Sequence, residues 1–284
     1  MTSEDAIFRP GLLKDKHILV TGGGTGLGRA MAERFLRLGA AVHICGRRQE
    51  VLEQSVGELR PLGPVHGWVC DVRQAESVER MVGDIWSHAA LDVVVNNAAG
   101  NFLARTEELS PRAWQAVTGI VLSGTINVTM AVARRWLQAN RPGIFLNIST
   151  TYASTGSAYV VPSAVSKAGV DALTRSLAVE WGPRGIRCNG IAPGAIRTEG
   201  AFSRLLPLPD LERKAMGHNP LHRFGTLDEF TSLAVFLVSD ASAYVNGEVI
   251  VMDGGAQLQG AGGFTELGRS LSDEDWERLK PKKK

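Results

Sequence analysis

The chain is poor in most of the features that mark a specialised class of protein. Its three cysteines, Cys45, Cys70 and Cys188, are an odd number set in or beside apolar runs, so no disulfide framework is written into it. They read as reduced, buried thiols. Lys+Arg 31 against Asp+Glu 29 leaves a net charge of +2. Both signs are interspersed, so no broad basic field invites nucleic acid. No apolar run approaches the roughly 18 residues that cross a bilayer, and no membrane partner is expected. The start, MTSEDAIFRPG, carries acids and no apolar h-region, and the end reads PKKK instead of SKL, so a cytoplasmic location is expected. Of six histidines, His218 and His222 have ligand-like spacing but flank Asn219-Pro220, where a regular helix is not expected. No metal site is expected. Tyrosine is scarce too, at three residues, which narrows any search for a phenolic donor to Tyr152, Tyr159 and Tyr244.

What remains is a soluble globular composition, 44% hydrophobic and 21% charged over 284 residues. Apolar, β-rich runs recur along it: HILVT (17–21), AVHIC (41–45), VHGWVC (65–70), LDVVVN (91–96), IFLNIS (144–149), IRCNGIA (186–192) and EVIVMD (248–253). Segments of helical spacing lie between them. The runs are nearly continuous in hydrophobicity instead of alternating, which predicts strands covered on both faces. The expected fold is therefore α/β: one doubly wound, Rossmann-type domain over 1–284, a parallel sheet of about seven strands with helices on both faces. Segment 200–222, rich in Leu, Phe and Pro, reads as a substrate lid.

Directly after the first run comes Thr21-Gly22-Gly23-Gly24-Thr25-Gly26-Leu27-Gly28, then a helical segment. Strand, glycine loop and helix in that order suit a dinucleotide pyrophosphate, held on free backbone N–H groups at the positive end of the helix. Gly22, Gly24, Thr25, Gly26, Leu27 and Gly28 are the expected contacts. The second run ends in Cys45-Gly46-Arg47-Arg48, where an NAD enzyme would place an acid for the ribose diol. Arg47 and Arg48 suit a 2′-phosphate instead, so NADP(H) is expected. Asp71-Val72 and Asn97 stand at the carboxyl ends of the third and fourth strands, the ligand side of such sheets.

Taken together, TGGGTGLG, CDV, NNAAG, a Ser/Thr pair after the fifth strand, SK-AG and Pro193-Gly194 resemble the short-chain dehydrogenase/reductases over essentially the whole chain. Asn97 to Phe102, Thr151-Tyr152-Ala153, Val161 to Ala164 and Thr198 to Arg204 look like the NADPH-dependent 2,4-dienoyl-CoA reductases of fatty-acid oxidation. That resemblance implies an acyl-CoA substrate, an enoyl-CoA product of unsaturated fatty-acid β-oxidation, and a homo-oligomer, usually a tetramer built through long helices such as 111–139 and 163–183. It also implies that Arg73, Phe102, Ser110 and Arg204 contact substrate. Pro193, Gly194, Ile196 and Thr198 would wrap the nicotinamide carboxamide.

One departure decides the chemistry. Most of the superfamily carries Tyr-x-x-x-Lys; here the lysine is Lys167 and Ser163 stands four residues before it. An aliphatic hydroxyl is a far poorer acid than a phenol of pKa about 10, so ordinary ketone or alcohol chemistry is not expected. The usual serine position, thirteen residues before the tyrosine position, is Thr150, and Ser123 replaces a helix asparagine. Tyr152 sits just past the fifth strand and matches the dienoyl reductases' catalytic tyrosine, whereas the seven residues between Tyr159 and Lys167 do not match the enoyl reductases' spacing of six. Tyr152 with Asn101 is expected to form an oxyanion hole, Lys167 to hold the nicotinamide ribose and Ser163 to align the site. Two competing readings are a different enoyl-thioester or carbonyl reductase of the superfamily acting through Tyr159, and a non-catalytic NADP(H)-binding sensor.

Overall fold

The computed structural model describes residues 7–198, 209–260 and 272–275. Its seven strands are β1 (His17–Thr21), β2 (Ala41–Gly46), β3 (Val65–Val69), β4 (Val93–Asn96), β5 (Gly143–Ile148), β6 (Ile186–Pro193) and β7 (Val249–Met252). They form one sheet in the order β3-β2-β1-β4-β5-β6-β7, and every pair is parallel. The chain winds from β1 outward to β3, then restarts on the other side of β1 with β4. Crossovers therefore part at the carboxyl ends of β1 and β4, which opens the crevice where such folds bind ligands.

The helices are α1 (Gly26–Arg37), α2 (Gln49–Leu59), α3 (Ala75–His88), α4 (Pro111–Thr118), α5 (Gly124–Gln138), α6 (Tyr152–Thr155), α7 (Val161–Trp181), α8 (Pro209–Gly217) and α9 (Leu227–Val238). Alternation along each central strand sends neighbours into different layers. Ile18 and Val20 join Phe35 and Phe230 in one core, while Leu19 joins Val82, Trp136 and Phe145 in the other. On α1 the buried residues Gly28, Met31, Ala32 and Phe35 recur at helical spacing, which explains both the helix and the face it presents. Trp136 can be fully buried because its indole N–H donates to the Leu91 carbonyl at 2.6 Å.

Coverage on both faces holds for the central strands and fails at the edges. Val69 on β3 is 59% exposed and Val251 on β7 is 40% exposed. The stretch Pro111–Gln138, α4 and α5 joined by a π-helical turn at Gly119–Ser123, has a window of mean hydropathy 1.6 and is long enough to cross a bilayer. A search for uninterrupted apolar residues passes over it, because Gly, Ser, Thr and Asn are spread through it. Half of that window is buried, with Val128, Val132 and Trp136 packed in the core, as in the central helix of a doubly wound fold. Within the expected lid, residues 199–208 lie outside the described residues, and 209–217 form α8.

Candidate active site

The glycine loop is stitched to the end of β4. Thr21 Oγ1 accepts from the backbone N–H groups of Asn97 and Ala98, both at 2.9 Å, and donates to Val95 O at 3.3 Å. The Asn97 side-chain amide donates back to Thr21 O at 2.9 Å. Asn97 thus shapes the loop from below. Gly28 packs so closely that a Cβ there would lie 2.4 Å from Gly22 O and 2.5 Å from Asn97 Nδ2. Gly22 itself has φ +65, a backbone that favours glycine. At the start of α1, Thr25 is extended, makes no side-chain cap, and no acid occupies the first turn. Helix N–H donors are left facing the crevice, which fits a pyrophosphate. Across the loop, Thr198 comes to about 4.0 Å from the place a Gly26 Cβ would take, so the segment after β6 closes over the glycines. That segment is held by Gly194, where a Cβ would meet Asp253 at 2.6 Å, and by a parallel bridge from Ile196 to Gly225.

At the carboxyl end of β2, Arg47 and Arg48 are exposed, and neither has an ion-pair partner among the described residues. Arg48 also begins α2 without a side-chain cap. Next to them, Asp71 is gripped by Arg73, whose Nη2 lies 2.5 Å from Asp71 Oδ2 and whose Nε lies 2.9 Å from Oδ1. The Arg73 hydrogen bond, with Arg47 adding its charge, holds the Asp71 carboxyl below the usual carboxylate range. Val72 is buried against Gly124. Arg73, expected at the substrate, therefore spends its fork on Asp71.

Past the ends of β4 and β5, side chains from three parts of the chain come together. Asn101 follows β4, and its Oδ1 accepts from the Phe102 N–H at 2.9 Å, which turns the amide nitrogen towards Tyr152 OH at 3.1 Å. Tyr152 opens the one-turn helix α6 just past β5, and its hydroxyl also lies 3.2 Å from Ser163 Oγ, in the first turn of α7. With Asn101 donating and Ser163 able to donate, the phenol keeps its own proton for a third partner. Tyr159 has φ +64 and is 60% exposed, and its backbone carbonyl binds Ala104 N at 3.0 Å. Tyr244 is fully exposed beside β7.

Lys167, buried on α7, donates its ammonium to Ile148 O, the last residue of β5. Burial pushes its pKa down to about 8, against the opposing pull of the Asp171 charge. The next residue of the strand end, Ser149, donates to the Asp171 carboxylate, which burial in turn pushes up. Ser149 and Asp171 escaped the motif reading; the available signal was the four-residue step from Lys167 to Asp171 along one helix face. Phe102 packs with Val117, Val121 and Val170 as an apolar wall beside Asn101. Ser110 caps α4 by accepting from Ala113 N at 3.2 Å, and Ser123 is exposed in the π-helical turn. Thr150 is half-buried at the end of β5. Arg204 lies outside the described residues. No cluster of three or more possible metal ligands occurs among the described residues.

The sequence model of the enoyl-(acyl carrier protein) reductases matches residues 22–257. The chain belongs to the short-chain dehydrogenase/reductases. It is 42% identical over 249 residues to a probable 2,4-dienoyl-CoA reductase [(2E)-enoyl-CoA-producing] of Bacillus subtilis, covering 87% of this chain and 98% of that one. It is 39% identical over 265 residues to a peroxisomal 2,4-dienoyl-CoA reductase [(3E)-enoyl-CoA-producing] of Arabidopsis thaliana, 89% of this chain and 88% of that one. Among solved structures, a putative 2-deoxy-D-gluconate 3-dehydrogenase of Agrobacterium tumefaciens with bound NADP superposes with a TM-score of 0.81 at 30% identity, covering 88% of this chain and 100% of that one. As a short-chain dehydrogenase/reductase the protein is an oxidoreductase that uses a nicotinamide cofactor.

Proposed function

We propose that this short-chain dehydrogenase/reductase reduces 2,4-dienoyl-CoA thioesters to enoyl-CoA with NADPH. The observation that carries the proposal is the Tyr152 hydroxyl, bound by Asn101 Nδ2 at 3.1 Å and facing Ser163 Oγ at 3.2 Å. The helix position four residues before Lys167, where carbonyl reductases keep their phenolic acid, holds a serine.

The crevice suits the cofactor: the packed Gly28, the uncapped α1 terminus and the two exposed arginines provide a close backbone, anion donors and a counter-charge for a 2′-phosphate. Gly22, Gly24, Thr25, Gly26, Leu27 and Gly28 would hold the pyrophosphate, Arg47 and Arg48 the 2′-phosphate, Asp71 and Val72 the adenine end. Lys167 would hold the nicotinamide ribose, with Pro193, Gly194, Ile196 and Thr198 over the carboxamide. Bound NADPH supplies a hydride to the far end of the diene. As negative charge reaches the thioester oxygen, Tyr152 OH and the second hydrogen of Asn101 Nδ2 donate to it. Neither group has to give up its proton. Phe102 walls the acyl chain, and water protonates the α carbon of the dienolate. Arg73, Ser110 and Arg204 complete the substrate side; Arg73 reaches a coenzyme A phosphate by exchanging its Asp71 partner.

Cytoplasmic residence and a tetramer complete the reading, the latter supported by apolar side chains left exposed on α5 and α7 at Ile126, Val165 and Val179. Sedimentation and cell fractionation test these. The decisive experiment follows NADPH oxidation with a 2,4-dienoyl-CoA, a saturated β-ketoacyl-CoA and a monoenoyl-CoA. Turnover of the dienoyl thioester alone is expected, with the product double bond located by NMR. Preference for the ketoacyl or monoenoyl thioester, or NADPH binding without turnover of any, overturns it.

A further inference from the structure

Lys167 is tied to β5 at Ile148, and one residue later Ser149 is tied back to α7 at Asp171. The two bonds run in opposite directions between the same strand end and the same helix face, so they act as a clamp. All three side chains, Ser149, Lys167 and Asp171, are buried, at 4%, 7% and 7% exposure. A carboxylate in such a place is costly unless a positive charge or hydrogen bonds compensate it. Asp171 lies one helical turn after Lys167 on the same helix face, and its charge acts on the ammonium.

We propose that Asp171 is a positioning residue: a buried carboxylate, oriented by Ser149, that keeps the Lys167 ammonium charged and fixed at the end of β5 for the cofactor ribose. The proposal rests on the reading of Lys167 as a ribose ligand.

The surroundings leave few other groups to do this. Lys167 binds the Ile148 carbonyl of β5, the Ser149 hydroxyl is taken by Asp171, Tyr152 of α6 meets Ser163, and the charge of Arg175, further along α7, acts on Asp171. Among the described residues Asp171 is the charged group whose field supports the ammonium; burial acts against it. A nearby opposite charge moves a pKa by roughly 1–3 units, enough to decide whether a lysine that burial pushes down to about 8 is an ammonium at neutral pH. The Arg175 charge also favours the ionised form of Asp171, as does its bond from Ser149.

The test titrates Lys167 directly in the cofactor-free enzyme, by the NMR shift of its ¹³C-labelled ε-carbon assigned with Lys167→Ala. In Asp171→Asn the midpoint is expected at least about one pH unit below the parent, and Asp171→Glu should restore much of it. Ser149→Ala, which keeps the charge but loosens it, should give a smaller shift. NADPH dissociation constants measured from pH 6 to 9 should follow the same midpoints, with affinity in Asp171→Asn down about fivefold or more at pH 8 and near the parent value at pH 6. A Lys167 midpoint unchanged in a folded Asp171→Asn protein overturns the proposal, as does an equal loss of affinity at every pH. Failure of the underlying reading looks different: the midpoint would move while Lys167→Ala left NADPH binding untouched. If Asp171→Asn does not fold, an unshifted midpoint in Ser149→Ala refutes the clamp.

Discussion

Replacing Tyr152 with phenylalanine removes one oxygen and leaves the ring in place, so it isolates the hydroxyl. Among the described residues that hydroxyl has two hydrogen-bond neighbours, Asn101 Nδ2 at 3.1 Å and Ser163 Oγ at 3.2 Å, and no charged partner. A donor of this kind, aimed at an oxygen that becomes negative only as hydride arrives, is worth about 3–4 kcal/mol, or roughly 10²–10³ in turnover. Tyr152→Phe should therefore lower kcat by at least about a hundredfold while NADPH affinity, measured by fluorescence titration, stays within about twofold. Asn101→Ala should behave alike. If the two donors were independent, the double variant would lose about 10⁴–10⁶. They are not independent, because the amide and the phenol are bonded to each other and each fixes where the other points. Neighbours that share a hydrogen bond couple by about 0.5–3 kcal/mol, so the double variant should fall clearly short of the product of the single losses. Stopped-flow single-turnover rates with saturating NADPH and dienoyl-CoA are the assay, since they exclude product release. Tyr159→Phe is the control and should stay near the parent rate. A Tyr152→Phe enzyme within threefold of the parent refutes the reasoning, and an inactive Tyr159→Phe beside it would move the donor to the exposed tyrosine.

Three further outcomes are expected. Arg47→Asp should raise the KM for NADPH by about ten- to hundredfold and hardly change that for NADH, because a hydrogen bond between charged groups contributes about 1.5–3 kcal/mol and only the phosphorylated cofactor makes it; equal shifts would remove the arginine from the 2′-phosphate. Ser163→Ala should cost only about two- to tenfold in turnover, the worth of one neutral hydrogen bond, and a loss as deep as that of Tyr152→Phe would make the serine a direct participant. His43, stacked between His17 and His66 and accepting from Trp68 Nε1 at 3.2 Å, has its pKa lowered to about 4, first by burial and then by the neighbouring histidines. A histidine depressed on folding stabilises the fold fully above its unfolded pKa of about 6.5 and loses that contribution as pH falls towards 4, about 2 kcal/mol of it by pH 5. Urea titrations at pH 7.5 and 5.0 should show the loss in the parent and a smaller one in His43→Gln, which retains an acceptor for Trp68; identical pH dependence would clear His43.

The parts of this molecule that repeat a local rule were legible before any coordinates. Seven apolar runs and a glycine loop between a strand and a helix each declare themselves within ten residues, and the strands lie within two residues of the expected bounds. Relations between distant residues were less so. That Asn97 braces Gly22 and packs against Gly28 depends on how the ends of β1 and β4 meet. Apolar runs do not tell a central strand from an edge strand either, because Val69 and Val251 read like Val94 until the strand order is known. Ser149 and Asp171 carry no motif, since a serine after a strand and an aspartate in a helix are common; their meaning comes from facing each other in a buried place.

The proposed roles of Tyr152 and Asn101 would explain why this chain can dispense with the tyrosine of α7. A carbonyl reductase must deliver a proton to the substrate oxygen, so its phenol is set on a long helix, one turn from the lysine that lowers its pKa. Conjugate reduction asks for less acidity and more geometry, since the oxygen needs only donors while the proton goes to carbon. Here the phenol stands on α6, four residues long, which could not orient a side chain by itself. Its orientation comes from outside: Asn101, whose amide is pinned by the Phe102 N–H, approaches from one side, and the Ser163 hydroxyl from the other. On that reading serine at 163 is not a damaged catalytic position but a small hydroxyl that leaves room for Tyr152 to approach α7. A tyrosine restored there, Ser163→Tyr, would fill that space and displace the Tyr152 hydroxyl from Asn101, so it should lower dienoyl-CoA reduction instead of adding ketone reduction to it; a Ser163→Tyr enzyme that keeps the first activity and gains the second would show that the two arrangements can coexist.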